Sequence, residues 1–575
     1  MPPSPLSFAT RPPTVAHLFL DRVRASPDAV AYRFPLQGGP EWGELTWSQS
    51  DRRVRAMAAG LLSLGLAPAD RVAIASSTRI EWILADLAVM CSGLATTTVY
   101  PNTNADETAF VLADSGSRVL FAEDAEQLRK VVAEQDRLPE LTTVVLFDEP
   151  DGQAPGPTGP FTVLTLSELE EHGRGHLAAH PDAIEKTVGQ LNRDQLATLI
   201  YTSGTTGRPK GVRLVHDCWS YQSAAPVIAG LLRPDDVQFL WLPLSHVFGK
   251  TLLCGQIATG HVMAVDGRVD KVAENLRTVR PTVTAAVPRI FEKIYGGILA
   301  LTGGVNAQGH GAARAAFGGR LRFAVSGSAP LAPDITSFFL DAGVPVLEGY
   351  GLTESAAGST INRPDDVRAG TVGLPYPGTE IRIAEDGEIL LRGPSVMRGY
   401  HNLPAQTAEV LDADGWLRTG DIGALDDDGH LRITDRKKDL LKTSGGKYVA
   451  PSEIEGLLKA HCPFIGNVVV IGDRRAYCTA LISLDASVLL PWAERHGLPG
   501  DYATVVGDPR TRGLVDSYVH TVNANLQRWQ TIKRFTLLPR ELDAEHGELT
   551  PSLKVRRAVV ARGYESEISA MYDAG

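Results

Sequence analysis

Leu196-Ala-Thr-Leu-Ile-Tyr-Thr-Ser-Gly-Thr-Thr-Gly-Arg-Pro-Lys-Gly211 sets a short apolar run directly ahead of a loop of small and polar residues. The run Leu196 to Ile200 reads as a buried strand ending in a turn. Tyr201 to Gly211 then holds three glycines, four Ser/Thr hydroxyls and two cations within eleven positions. Such a loop can wrap a phosphate chain: glycine permits positive φ and close backbone approach, while N–H and O–H groups supply donors. It is not the NTPase P-loop, which needs Gly-Lys-Ser/Thr opening a helix. Pro209 precedes Lys210 and Gly211 follows it, so no hydroxyl stands where magnesium would be held.

Outward from this hairpin, helical and strand patterns alternate. Val15 to Val23 and Arg53 to Leu64 have helical periodicity, and Gly65 falls where the second should end. Arg71 to Ala75, Val119 to Ala122 and Thr143 to Phe147 read as short apolar strands, with a helix from about Ile80. The expected fold class is therefore α/β, a multi-domain α+β assembly with largely parallel, buried sheets flanked by helices. Near Asp435 the chain turns to a charged run, followed by a compact strand and helix mixture carrying Val468 to Ile471 and Ala480 to Leu484. We place a boundary there: a large domain at 1–435 and a small C-terminal α+β domain at 436–575. Asp151 to Pro160 is a surface loop by composition, and Leu301 to Arg320, rich in Gly and Ala, carries no readable period.

Bulk properties narrow the function. The 575 residues are 43% hydrophobic and 21% charged, a globular composition, and the net charge of -11 argues against a nucleic-acid partner. Cys91, Cys218, Cys254, Cys462 and Cys478 form no CxxC pair, so neither zinc nor a disulfide framework is expected; the count fits a reducing, cytoplasmic setting. No secretory signal is read at Met1 to Pro13. The most apolar window, Ile83 to Tyr100, is interrupted by Asp86 and is too short and polar to span a bilayer, which leaves peripheral membrane contact open.

Further motifs follow in order. In Gly349-Tyr-Gly-Leu-Thr-Glu-Ser355, two glycines flank an aromatic face suited to a purine, Thr353 offers a hydroxyl, and Glu354 is a hard oxygen ligand suited to Mg²⁺. Trp416-Leu-Arg-Thr-Gly-Asp421 presents a carboxylate able to accept ribose hydroxyls. Asp435-Arg-Lys-Lys-Asp439 leads through a strand and a glycine bend to Pro451, near a helix start. Leu549-Thr-Pro-Ser-Leu-Lys554-Val-Arg-Arg557 ends the series.

Together these strings resemble the acyl-adenylate-forming enzymes, over nearly the full chain. The resemblance implies that Thr202, Ser203, Gly204, Thr205, Thr206, Gly207 and Lys210 hold the phosphates of ATP. It implies that Gly349, Tyr350 and Gly351 with Ser328 border adenine, that Thr353 contacts the α-phosphate, and that Glu354 holds Mg²⁺. Families of this kind more often carry glycine where Ser328 stands. Asp421 and Arg436 become ribose contacts, Lys438 the hinge of a mobile small domain, and Gly445 and Gly446 the path of the CoA arm. Lys554 becomes the main catalytic residue, meeting the substrate carboxylate and the α-phosphate.

Two strings bear on the acid. Trp241-Leu-Pro-Leu-Ser-His246 resembles the segment whose histidine lies beside the acyl site, in a gating place without proton transfer. Val287-Pro-Arg-Ile-Phe-Glu-Lys-Ile-Tyr295 looks like the long-chain acyl-CoA synthetase branch, although the stretch Gly296 to Arg320 is shorter than that branch usually carries. The implied activity is an ATP-, Mg²⁺- and CoA-dependent fatty acid–CoA ligase. The rivals are an acyl-AMP ligase loading a carrier protein, a medium-chain or aryl acid ligase, and a catalytically silent binding protein.

Overall fold

The computed structural model describes residues 8–36, 39, 41–148, 160–202, 208–302, 305–498, 500–543, 545–550 and 554–573. Of the expected surface loop at 151–160, all but its last residue lies outside them.

Two large sheets carry the N-terminal part. The first runs Thr162–Thr165, Thr143–Leu146, Ser117–Ala122, Arg71–Ala75, Ala95–Val99, Leu196–Thr202, Lys210–Val215. Its neighbours are parallel except the final pair, an antiparallel hairpin in which Thr202 opposes Lys210. The second has nine strands with a parallel centre and antiparallel edges, and Val346–Tyr350 is its last parallel member. The central strand Ala95–Val99 is buried at every residue, its three threonines included, as expected of a parallel sheet covered on both faces. The helix Ile80–Cys91 shows the depth of this burial: every residue except Glu81 is buried, Asp86 included. The helix Trp47–Ser63 starts at a Thr46/Gln49 capping box, and Gly65 follows it at φ 71°.

A four-stranded antiparallel sheet, Glu380–Ile383, Glu388–Arg392, Leu417–Leu425 and Leu431–Arg436, forms the β-subdomain. Beyond it, Ile465–Ile471, Cys478–Leu484 and Ile532–Leu537 make a three-stranded sheet. Strand alternation supplies it with two cores. Val468, Val470, Ala480 and Ile482 pack with Ile454, Leu458, Val515 and Val519 on one face. Val469 and Leu481 pack with Val560, Ile568 and Met571 on the other.

The Gly/Ala-rich stretch that defeats periodicity is helical at both ends, Pro288–Thr302 and Ala307–Ala316. Asn306 caps the second helix by accepting from the Gly309 amide.

Candidate functional site

The hairpin Leu196–Val215 delivers Lys210 to the rim of a cleft. Ser203, Gly204, Thr205, Thr206 and Gly207 lie outside the described residues, but Thr202 and Lys210 bracket them as register partners. Lys210 Nζ stands 4.9 Å from the centre of the Tyr400 ring. Tyr400 is fixed by a bridge to Val212 and by its amide donating to Thr407 Oγ1. Its hydroxyl donates to Glu354 Oε1 at 2.8 Å. Burial and the Glu354 charge both push the Tyr400 phenol pKa upward, so it stays a proton donor.

Glu354 sits on the turn Thr353–Ser355, directly after the strand Val346–Tyr350. The turn folds so tightly that a Cβ at Gly351 would lie 1.3 Å from the Ala357 carbonyl oxygen. Only glycine fits there. Ser328 adopts φ 74°, the left-handed region, which gives a physical reason for glycine to be common at that position.

The nucleoside side of the cleft is linked by hydrogen bonds. Tyr350 donates through its hydroxyl to Asp421 Oδ2 at 2.7 Å, and the Asp421 amide donates to Thr419 Oγ1 at 3.1 Å. Arg436 Nε stands 3.2 Å from Asp421 Oδ1. Burial raises the Asp421 pKa, and Arg436 offsets this only in part.

His246 caps the helix Val247–Thr259, its Nδ1 accepting from the Phe248 amide at 3.1 Å. That contact leaves any ring proton on Nε2. Burial, reinforced by the positive charge of Lys554, lowers the His246 pKa to about 3. The ring is therefore neutral at physiological pH.

Lys554 enters the same field. Its pKa falls to about 8 through loss of solvation and repulsion by Arg436, while Asp421 and Glu354 act the other way. The residue is nonetheless exposed to solvent. Its loop is pinned by Thr550, whose amide donates to the Lys554 carbonyl and whose Oγ1 accepts from the Lys554 amide. Lys438 has a lowered pKa from burial and from the nearby Arg436, with a lesser contribution from Lys210. A cleft of about 500 Å³ lies alongside, lined by Leu352, Glu354, Tyr400, Gly420 and Lys437 among others.

Lys210, Tyr350, Glu354, Asp421, Arg436, Lys438, His246 and Lys554 are thus drawn into one neighbourhood. Gly445 and Gly446 are not: they occupy an exposed turn between Leu441–Lys442 and Tyr448–Val449. A Cβ at Gly446 meets nothing within 4 Å, and the demand for glycine comes from its φ of 76°.

Sequence reading missed Tyr400 and Thr419, since a tyrosine after a glycine and a lone threonine, here on the strand Leu417–Leu425, carry no signal alone. It also missed the pair beneath His246. Lys250 Nζ contacts both Asp86 oxygens, at 2.7 and 2.5 Å, with each side chain 1% exposed. Thr96 donates to Asp86 Oδ1, and the Trp82 and Trp219 rings flank the ammonium.

Glu354 meets the requirements of a hard divalent cation. It is a carboxylate at the cleft, and among the described residues nothing bonds its second oxygen. Mg²⁺ would fit there.

A family model described as AMP-binding enzyme matches residues 19–401, and one described as AMP-binding enzyme C-terminal domain matches 438–575. A long-chain-fatty-acid–CoA ligase of Mycobacterium tuberculosis, FadD15, is 35% identical across 97% of this chain and 97% of its own. The peroxisomal long chain acyl-CoA synthetase 7 of Arabidopsis thaliana is 30% identical across 92% of this chain and 82% of its own. Among solved structures, the adenylation domain of a carboxylate reductase from Mycobacterium chelonae superposes with a TM-score of 0.79 at 22% identity, covering 97% of this chain and 91% of that one. No helix among the described residues is long and apolar enough to cross a membrane.

Proposed function

Because the chain belongs to the AMP-binding enzyme family, we propose that it is a fatty acid–CoA ligase that works through an acyl-adenylate, with long-chain acids as its substrates. The observation that carries the reading is the proximity of Lys210, Glu354, Asp421 and Lys554: Tyr400 joins Lys210 to Glu354, and the charges of Glu354 and Lys554 both act on Asp421. A phosphate-binding cation, a metal-holding carboxylate, a ribose-accepting carboxylate and a second cation are the parts this chemistry needs.

In the first step a carboxylate oxygen of the acid attacks the α-phosphorus of ATP, and the bond to the bridging oxygen breaks, releasing pyrophosphate. Thr202, Lys210 and the loop 203–207 cradle the outgoing phosphates. Thr353 and Lys554 face the α-phosphate, where Lys554 lets two anions approach. Glu354 would hold Mg²⁺, which would supply neutralisation of phosphate charge. Tyr350 flanks adenine, Ser328 borders it, Asp421 accepts from the ribose hydroxyls, and Arg436 donates to the ribose. His246, neutral, lines the acyl entrance.

In the second step the CoA thiol attacks the acyl carbonyl, loses its proton, and expels AMP. A small domain, 436–575, turns about Lys438 against the 1–435 domain, withdrawing Lys554 and bringing Gly445 and Gly446 to the CoA arm. Both co-substrates are water-soluble, which favours a cytoplasmic enzyme meeting its acids at a membrane surface.

A mass-resolved assay with Mg·ATP, CoA and unbranched acids from short to very long tests this. Acyl-CoA, AMP and pyrophosphate in equal amounts, best with long acids, is the expected result. Acyl-adenylate without thioester would turn the reading towards a carrier-protein acceptor.

A further inference from the structure

The motif Val287 to Tyr295 opens the helix Pro288–Thr302, and its Arg289 and Lys293 reach residues of the C-terminal part of the chain. Arg289 Nη1 donates to the Ile465 carbonyl at 3.1 Å, and Nη2 pairs with Asp485 Oδ2 at 2.5 Å. Lys293 Nζ lies 3.7 Å from the same carboxylate oxygen. Asp485 is nearly buried, with 5% side-chain exposure, and its other oxygen accepts from the Ser487 amide and hydroxyl at the start of Ala486–Arg495. Burial opposes its charge, but the Ser487 hydrogen bonds and the Arg289 and Lys293 charges outweigh it and hold the pKa below the usual aspartate value. Asp485 is therefore a fixed, ionised anchor at neutral pH.

Two neighbours extend the contact. A Cβ built on Gly296 comes 3.3 Å from Pro463, and His461 Nε2 stands 3.9 Å from Asp334.

The interface connects mechanically to Lys554. His461 ends the helix Pro451–His461, which also carries Glu455. Glu455 pairs with Arg557 and accepts from the Val470 amide, on the same strand whose Ile465 carbonyl Arg289 holds. Arg557 lies three residues beyond Lys554. A path made of the Arg289 bond to the Ile465 carbonyl, the strand Ile465–Ile471, the Val470 amide bond to Glu455 and the Glu455–Arg557 ion pair therefore runs from Arg289 to the lysine loop.

We propose that the Arg289–Asp485 pair is a positioning latch that seats the C-terminal part with Lys554 in the cleft, and that it acts in the adenylate-forming step alone. This rests on the ligase reading above. An ion pair with one nearly buried member and a second, backbone contact resists rotation more than an exposed pair would. Turning the small domain for the CoA step would separate Arg289 from both partners.

Arg289→Ala and Asp485→Asn, singly and together, test the latch; asparagine keeps an oxygen for Ser487. Each half-reaction is measured alone, with hexadecanoate or whichever acid of the series the unaltered protein turns over best. Acid-dependent pyrophosphate release without CoA reports the first step, and thioester formation from supplied acyl-adenylate reports the second. The latch predicts a roughly tenfold loss in the first step for either single variant. It predicts no further loss in the double variant, and an unchanged or faster second step. Arg289→Lys should recover part of the first step. Equal losses in both half-reactions, or strictly additive losses in the double variant, would overturn the latch. An unaltered protein that released no pyrophosphate would instead overturn the ligase reading.

Discussion

Lys554→Ala lowers acid-dependent pyrophosphate release by about 10²- to 10³-fold, the scale for losing one charged group aimed at developing negative charge. Two anions, carboxylate and α-phosphate, must come within bonding distance, and Lys554 is the cation that its loop presents to the site. Formation of thioester from supplied acyl-adenylate stays within a few-fold of the unaltered protein, because adenylation is already complete. The pH dependence follows from the same residue. With a pKa lowered to about 8, Lys554 is charged below that value and loses its proton as pH rises through it. Hence kcat/KM for adenylation, which reports the free enzyme, falls above about pH 8, and this limb is absent in Lys554→Ala. A uniform loss of both half-reactions in the folded variant, or an unchanged alkaline limb, would count against the assignment.

Asp86→Ala has the largest expected effect on stability. Asp86 and Lys250 are each 1% exposed and bonded directly, so removing the carboxylate strands an ammonium in the core. Loss of one partner of such a pair costs about 3 to 5 kcal/mol. The two tryptophans flanking Lys250, Trp82 and Trp219, make fluorescence during urea unfolding a local report. The double replacement Asp86→Leu with Lys250→Met should recover most of the loss, since well-packed apolar side chains can stand in for a buried pair. A loss below about 1 kcal/mol for Asp86→Ala would mean that water reaches Lys250.

These two residues also mark where sequence reading stops. Asp86 stands out as the one carboxylate in the window from Ile83 to Tyr100, but Lys250, its partner, is 164 residues away. Nothing local encodes that meeting. Elements with their own punctuation were legible: Pro451 opens a helix, Gly65 closes one, and the apolar run at Leu196 is a strand. The Gly/Ala-rich stretch at 296–320 was not, because small residues give no apolar period; its second helix rests on the Asn306 cap and on Ala313 and Phe317 in the core. Much of the candidate site was legible as motifs, yet the hydrogen bonds joining them were hidden. Tyr350 to Asp421 links two motifs through the fold, and Glu354 to Tyr400 ties a motif to a residue outside any of them. Arg289 shows the same limit: its motif read as a mark of the long-chain branch, while the contact with Asp485 spans 196 residues.

The central claim is that an acid is joined to AMP before it meets CoA, and labelling the acid tests it most directly. A fatty acid carrying oxygen-18 in both carboxylate positions is turned over with Mg·ATP and CoA, and the AMP and pyrophosphate are weighed by mass spectrometry. Attack on the α-phosphorus leaves one labelled oxygen in AMP and none in pyrophosphate, with the other retained in the thioester carbonyl. Unlabelled AMP beside labelled phosphate or pyrophosphate would contradict the account.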